Sequence, residues 1–228
     1  TLSSSSAASD VYKRQGIVSG KEPSKAIKEF SGDDVPFLKC PVYRDSMKNV
    51  FSVGSWFNLK LNVDENGLRA DVPQSFMDDY ILTHSDKHKI YQLGQTVIFI
   101  AKDDSLKMTQ EHPSMSDNTF SNNCSLISGT FDIGKYFRFV SPAFYINKGV
   151  NTVSIKEGEA LYYLRFHTEK KIKFVPFFMS SEYEHIAKSI RDSVSDNLSN
   201  KPLDWYYRVF KKKNIKRLLL KEIKANLI

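Results

Sequence analysis

Two groups of residues in this 228-residue chain have types and spacings that could do chemistry. His84-Ser85-Asp86 sets an imidazole and a carboxylate two residues apart, the His-x-Asp half of a facial triad that holds Fe(II). The second histidine would come from a distance: His167 and His185 are available, with Arg191 after the latter for a co-substrate carboxylate. His84 and His88 also stand at i,i+4, a spacing that shares a metal on a helix. Against this, Thr83 to Lys89 is hydrophilic throughout, which predicts a solvated loop, and His185 and Arg191 fall on an expected helix. The reading is therefore no metal site and no cofactor, with His84, Asp86 and His167 kept as candidates. The second group lies near the C-terminus. Trp205, Tyr206, Tyr207 and Phe210 precede Lys211, Lys212 and Lys213, and a helix bearing Lys216 and Arg217 follows. Aromatic rings stack on bases while lysines neutralise phosphates; the same helix could lie on an anionic membrane surface or lay its apolar stripe on the β body or a second subunit.

Other chemistry is not supported. The chain has no phosphate-binding glycine loop, nucleophile elbow or kinase motif. Two cysteines, Cys40 and Cys124, make neither a disulfide framework nor a four-ligand zinc site, and are expected as buried reduced thiols. Cys40 has no histidine close by to activate it.

The chain carries 33 basic and 26 acidic residues, a net charge of +7. Between Arg208 and Ile228 there are eight basic residues and one acid, so those 21 residues hold the whole excess and the rest is balanced at 25 against 25. Aromatics at 13% exclude an intrinsically disordered chain. No apolar run approaches the ~18 residues of a membrane span.

The elements that would position these groups read as follows. Thr1 to Gln15 is Ser/Ala-rich, resembles translated sequencing adapter and is set aside; 16–34 is expected as a disordered lead-in. Val50 to Val63 is rich in β-branched and aromatic residues and runs into Asn66-Gly67, a hairpin signal, with Leu68 to Val72 returning. Pro73 to Tyr80 reads as a turn or short helix, Leu93 to Ala101 as a strand, and Asp103 to Asn123 as polar turns. Cys124 to Ile127, Tyr136 to Asn147, Thr152 to Lys156, Ala160 to His167 and Ile172 to Phe178 read as strands. A capping box at Ser181 to Glu184 then opens a helix, and Leu203 to Phe210 and Asn214 to Leu227 read as two more. The expected fold is mainly β, a β-sandwich or jelly-roll-like barrel over 35–178, with a helical C-terminal appendage over 179–228.

Several strings carry a resemblance: Lys39-Cys40-Pro41 with Arg44-Asp45-Ser46 and Asn49; Met108 to Pro113; Gly129 to Arg138; Gly158 to Tyr163; and Lys221 to Ile228. In this order, from about Pro36 to Ile228, they resemble a family of tailed-phage proteins, mostly of marine phages, to which no activity is assigned. The resemblance implies a phage gene product in the host cell cytoplasm or the virion. A local stretch, Gly129-x-x-Asp132 with Tyr136 and then Val153 to Glu159, is similar to the third motif of the dUTPase and dCTP deaminase fold. That likeness implies Asp132 activating water and Tyr136 stacking on a sugar, but the Asp-to-Tyr spacing is one residue longer and the phosphate-binding motifs are missing, so a triphosphate lacks its electrostatic partners. The expected function is a non-catalytic binding or structural/accessory module, with a nucleotide hydrolase or an iron-dependent 2-oxoglutarate oxygenase as alternatives. The partner is a protein, possible self-association included, or nucleic acid.

Overall fold

The computed structural model describes residues 18–19, 39–64, 67–94, 97–135, 139–175, 177, 180–182, 185, 208 and 215–225. In chain order the strands are β1 (Val18–Ser19), β2 (Val50–Gly54), β3 (Leu59–Asp64), β4 (Gly67–Ala70), β5 (Ile81–Ser85), β6 (Ile90–Leu93), β7 (Lys107–Glu111), β8 (Cys124–Leu126), β9 (Gly129–Asp132), β10 (Ala143–Ile146), β11 (Thr152–Ile155) and β12 (Ala160–Phe166). The helices are α1 (Pro41–Ser46), α2 (Gln74–Tyr80), α3 (Thr119–Asn123) and α4 (Ile215–Ala225). The strands form three antiparallel sheets, ordered β1-β2-β12-β7-β9, β5-β6-β10-β8 and β11-β3-β4. The chain is mainly β, consistent with a β-sandwich, and α4 is the expected C-terminal helix.

The chain divides into two compact units. The first comprises 1–96, 109–129 and 141–165; the second comprises 97–108, 130–140 and 166–228. Two strips from within the expected β domain thus belong with the C-terminal stretch.

In the first unit, period-two patterning sets the faces. Along β3, Leu59, Leu61 and Val63 are buried while Lys60 and Asp64 are exposed, and in β11 Val153 and Ile155 are buried opposite Leu61 and Leu59. The hairpin after β3 forms with Asp64 opposite Gly67, whose φ of 110° favours glycine. Between β2 and β3, the Ser55 hydroxyl donates to the Phe57 carbonyl at 2.7 Å and accepts from its amide at 3.2 Å, closing a tight corner. Pro41 in the first turn of α1 loses no helical bond there. The Arg165 guanidinium grips Glu111 at 2.5 and 2.9 Å and donates to the Ser46 carbonyl, tying α1 to β12 and to the end of β7.

Several elements differ from the sequence reading. The stretch Thr83 to Lys89 is not all loop: β5 runs to Ser85. Asp103 to Asn123 contains β7 and α3. In β7 the buried positions are Met108 and Gln110, and a glutamine in a core position disguises the alternation. α3 is opened by a capping box in which Asn118 and Ser121 satisfy each other's amides. The runs read as strands at Leu93 to Ala101 and Ile172 to Phe178 are mostly not strands: β6 ends at Leu93, and 97–101 and 171–175 join no ladder. Cys124 is buried as expected, its thiol pushed up to about 12 by burial, but Cys40 is exposed.

Candidate functional site

The second unit holds a cleft of about 700 Å³. Its floor is apolar because three phenylalanines meet there edge to face. The Phe99 centroid lies 6.4 Å from Phe166 and 6.3 Å from Phe174, and Phe166 lies 5.6 Å from Phe174. Ile133, 3% exposed, adds to the floor. One wall comes from α4, whose apolar stripe delivers Leu219 to full burial and sets Leu220 and Ile223 along the cleft.

α4 is held there by polar bonds as well. Lys216 Nζ donates to the Lys102 carbonyl at 3.3 Å and to the Asp104 carboxylate, and the Ser180 amide donates to Glu222 at 2.7 Å. The Lys216 ammonium holds the Asp104 carboxyl below its ordinary 3.8. The neighbouring Asp103 carboxylate accepts from the Ser105 hydroxyl at 2.7 Å and its amide at 2.9 Å, and those bonds hold its carboxyl down too. Gly134 packs under this 103–104 turn: a Cβ there would lie 2.5 Å from the Asp103 carbonyl oxygen, so the close approach needs glycine.

The rim is cationic. Among the described residues Lys102, Lys170, Lys171 and Lys173 line the cleft against Asp103 alone, a net of +3. Lys170 reaches Asp103 at 3.9 Å. Four ammonium groups around a low-dielectric floor concentrate positive potential where an anion would enter. An aliphatic and aromatic floor under a cationic rim binds partners that are acidic and apolar together.

The candidates from sequence are placed as follows. His84 is exposed on β5, with Nε2 3.0 Å from Gln92 Oε1. Asp86 is exposed and accepts from the Tyr91 hydroxyl at 3.5 Å. His167 is exposed, its amide donating to the Lys107 carbonyl at 3.0 Å. Among the described residues no group of three or more His, Cys, Asp or Glu is placed to hold a metal ion. Asp132 ends β9 with its carboxylate 2.8 Å from Lys135 Nζ. Lys216 is taken into the ion pair with Asp104, whereas Arg217 is exposed on α4. Tyr136, Arg191, Trp205, Tyr206, Lys211, Lys212 and Lys213 lie outside the described residues. Among the described residues no helix is long and apolar enough to cross a membrane.

Sequence reasoning missed the rim. Its signal was Lys171-Ile172-Lys173-Phe174, an alternation of lysine and apolar residues that reads as an ordinary strand with one wet face. Comparison with protein-family models, with curated proteins and with solved structures returns no match.

Proposed function

We propose that the chain is a non-catalytic binding module, an accessory or structural protein of a phage, that takes an acidic and partly apolar segment of a protein partner in the cleft of its second unit. The observation that carries this reading is the +3 lysine rim over an apolar floor. Two features favour a protein segment over nucleic acid. Phe99 and Phe166 are 9% and 4% exposed, so the floor offers ring edges rather than open faces for bases to stack on. Lys216, one of the cations expected to meet phosphate, is engaged by Asp104. The groups considered for catalysis are likewise held by neighbours: His84 by Gln92, and Asp132 by Lys135. The resemblance of the sequence strings to tailed-phage proteins supplies the phage setting.

The test is a titration of the full chain with a labelled peptide of mixed glutamate and valine and with a labelled single-stranded oligonucleotide of equal charge, each over a range of salt. The peptide is expected to bind more tightly and to keep part of its affinity at high salt, because apolar burial is not screened. Oligonucleotide binding that is tighter and falls steeply with salt would replace this reading with the nucleic-acid one.

A further inference from the structure

We infer that the partner segment enters the cleft as an added β-strand, pairing with the chain at 171–175 and alternating acidic with apolar residues. This rests on the reading of the cleft as a binding face and gives that reading a mode and a sequence rule.

The first observation is the backbone. Residues 171–175 run with neither helix, turn nor bend and join no ladder. Lys171, Ile172, Lys173 and Val175 make no backbone hydrogen bond to another described residue, and the same holds for Ile98, Phe99 and Ile100 across the same cleft. Backbone N–H and C=O groups almost always find partners, and a run of open ones along an unpaired edge is a template for another strand.

The second observation is the alternation. Lys171, Lys173 and Val175 are exposed while Ile172 and Phe174 are half-buried against the cleft, the two-residue period of a strand. Residues facing each other across a strand pair share a face, so acids opposite Lys171 and Lys173 gain charge pairing while the residue opposite Ile172 enters the apolar floor. Lysines on an edge also discourage indiscriminate pairing with uncharged strands. The edge therefore admits a strand that brings its own carboxylates.

The experiment uses the full chain and four synthetic decapeptides: glutamate and valine alternating; the same composition with the glutamates in one block; the alternating peptide N-methylated at every second residue, so that one ladder edge lacks N–H groups; and lysine alternating with valine. The alternating glutamate peptide is expected to bind about tenfold more tightly than the blocked or N-methylated forms, a ratio that corresponds to about 1.4 kcal/mol. Amide exchange at 171–173 should slow on its addition. The double variant Lys171→Glu, Lys173→Glu should lose that peptide and gain the lysine one; this swap of preference separates a lost contact from a lost fold. If the N-methylated or blocked peptide binds as tightly as the alternating one, strand addition is wrong while the acidic–apolar cleft stands. If none of the glutamate peptides binds, the cleft reading fails and the inference with it. Protection of the 171–173 amides by self-association that the peptide does not reverse would put a second copy on the edge and overturn the inference.

Discussion

The two units differ in where they keep their charge and their unpaired polar groups. By sequence the first holds 15 basic and 16 acidic residues, a net of −1, and the second holds 18 and 10, a net of +8. In the first unit β3 is paired on both sides, β6 and β10 likewise, and four interior side-chain atoms, Trp56 Nε1, Gln110 Nε2, His112 Nδ1 and the Tyr162 hydroxyl, have no partner among the described residues. In the second unit the backbone of 98–100, 171–173 and 175, beside a lysine-rimmed cleft, makes no hydrogen bond to another described residue. Buried unpaired side-chain atoms lower stability and face no incoming partner, whereas open backbone beside a cleft is where a partner strand can bond. The net charge of +7 is thus a property of one unit, and within it of the last 21 residues.

Core truncations break this comparison most sharply. Leu164, fully buried on β12 opposite Phe51, belongs to the first unit. Leu164→Ala should cost about 4 kcal/mol, through lost transfer energy and the cavity left behind, seen as a lower urea midpoint by circular dichroism. Leu219 is equally buried, the one residue so placed among those of α4 whose burial is described. Leu219→Ala should cost about 3 kcal/mol and act locally: amide exchange should quicken in α4 and remain unchanged in β3 and β11. Equal quickening in β3 and β11 would show that the units do not open separately, and the contrast drawn between them would fail.

The first unit was more legible in sequence than the second, for a physical reason. β3, β11 and β12 announce themselves because one or both faces are apolar at period two, and the glycines at 67, 149 and 158 sit at positive φ in the turns that separate strands. β7 hid because Gln110 occupies a core position, and α3 because its capping partner is Ser121 rather than an acid. Side-chain pattern does report the face a segment buries, and at Leu93 to Ala101 and Ile172 to Phe178 it reported strand-like faces. It carries no information on whether a neighbouring strand exists to complete the ladder. The strand-like edge of the candidate site escaped for that same reason: the backbone of 171–173 and 175 makes no hydrogen bond to another described residue. The visible chemistry, His84 with Asp86, is a side-chain pair engaged by its neighbours.

Removing an interior orphan should raise stability. The Tyr162 hydroxyl is buried without a partner among the described residues, and burial pushes its ionisation upward, so the phenol stays neutral at ordinary pH. Tyr162→Phe keeps the ring in the core and deletes only the oxygen, so the gain is the desolvation penalty returned, about 1 kcal/mol. Tyr91 provides the control. Its hydroxyl donates to Asp86 at 3.5 Å, so Tyr91→Phe breaks a bond and should be neutral or destabilising. A Tyr162→Phe variant no more stable than the parent by urea midpoint would mean that the hydroxyl is satisfied after all.

The smallest effect is the one that pH resolves. His112 is half-buried in the first unit, and burial lowers its pKa below 6.5, opposed in part by the nearby Ser121 backbone. A base whose folded pKa is depressed is neutral in the folded state and takes up a proton on unfolding. The unfolded state therefore binds more protons between the folded pKa and 6.5, and stability falls as pH drops through that window. The dependence cannot exceed one proton for one histidine. Asp103 and Asp104 of the second unit, held below 3.8, contribute stability above that value that is lost only as pH falls through their lowered pKa values. Acidification from pH 7 should thus weaken the first unit before the second. Urea midpoints measured from pH 7 to pH 4.5 should slope in the parent and flatten in His112→Phe, while the protection factors of the α4 amides, referred to the unfolded rate at each pH, stay constant until the carboxylates titrate. A slope that persists unchanged in His112→Phe would assign the early acid sensitivity to another group.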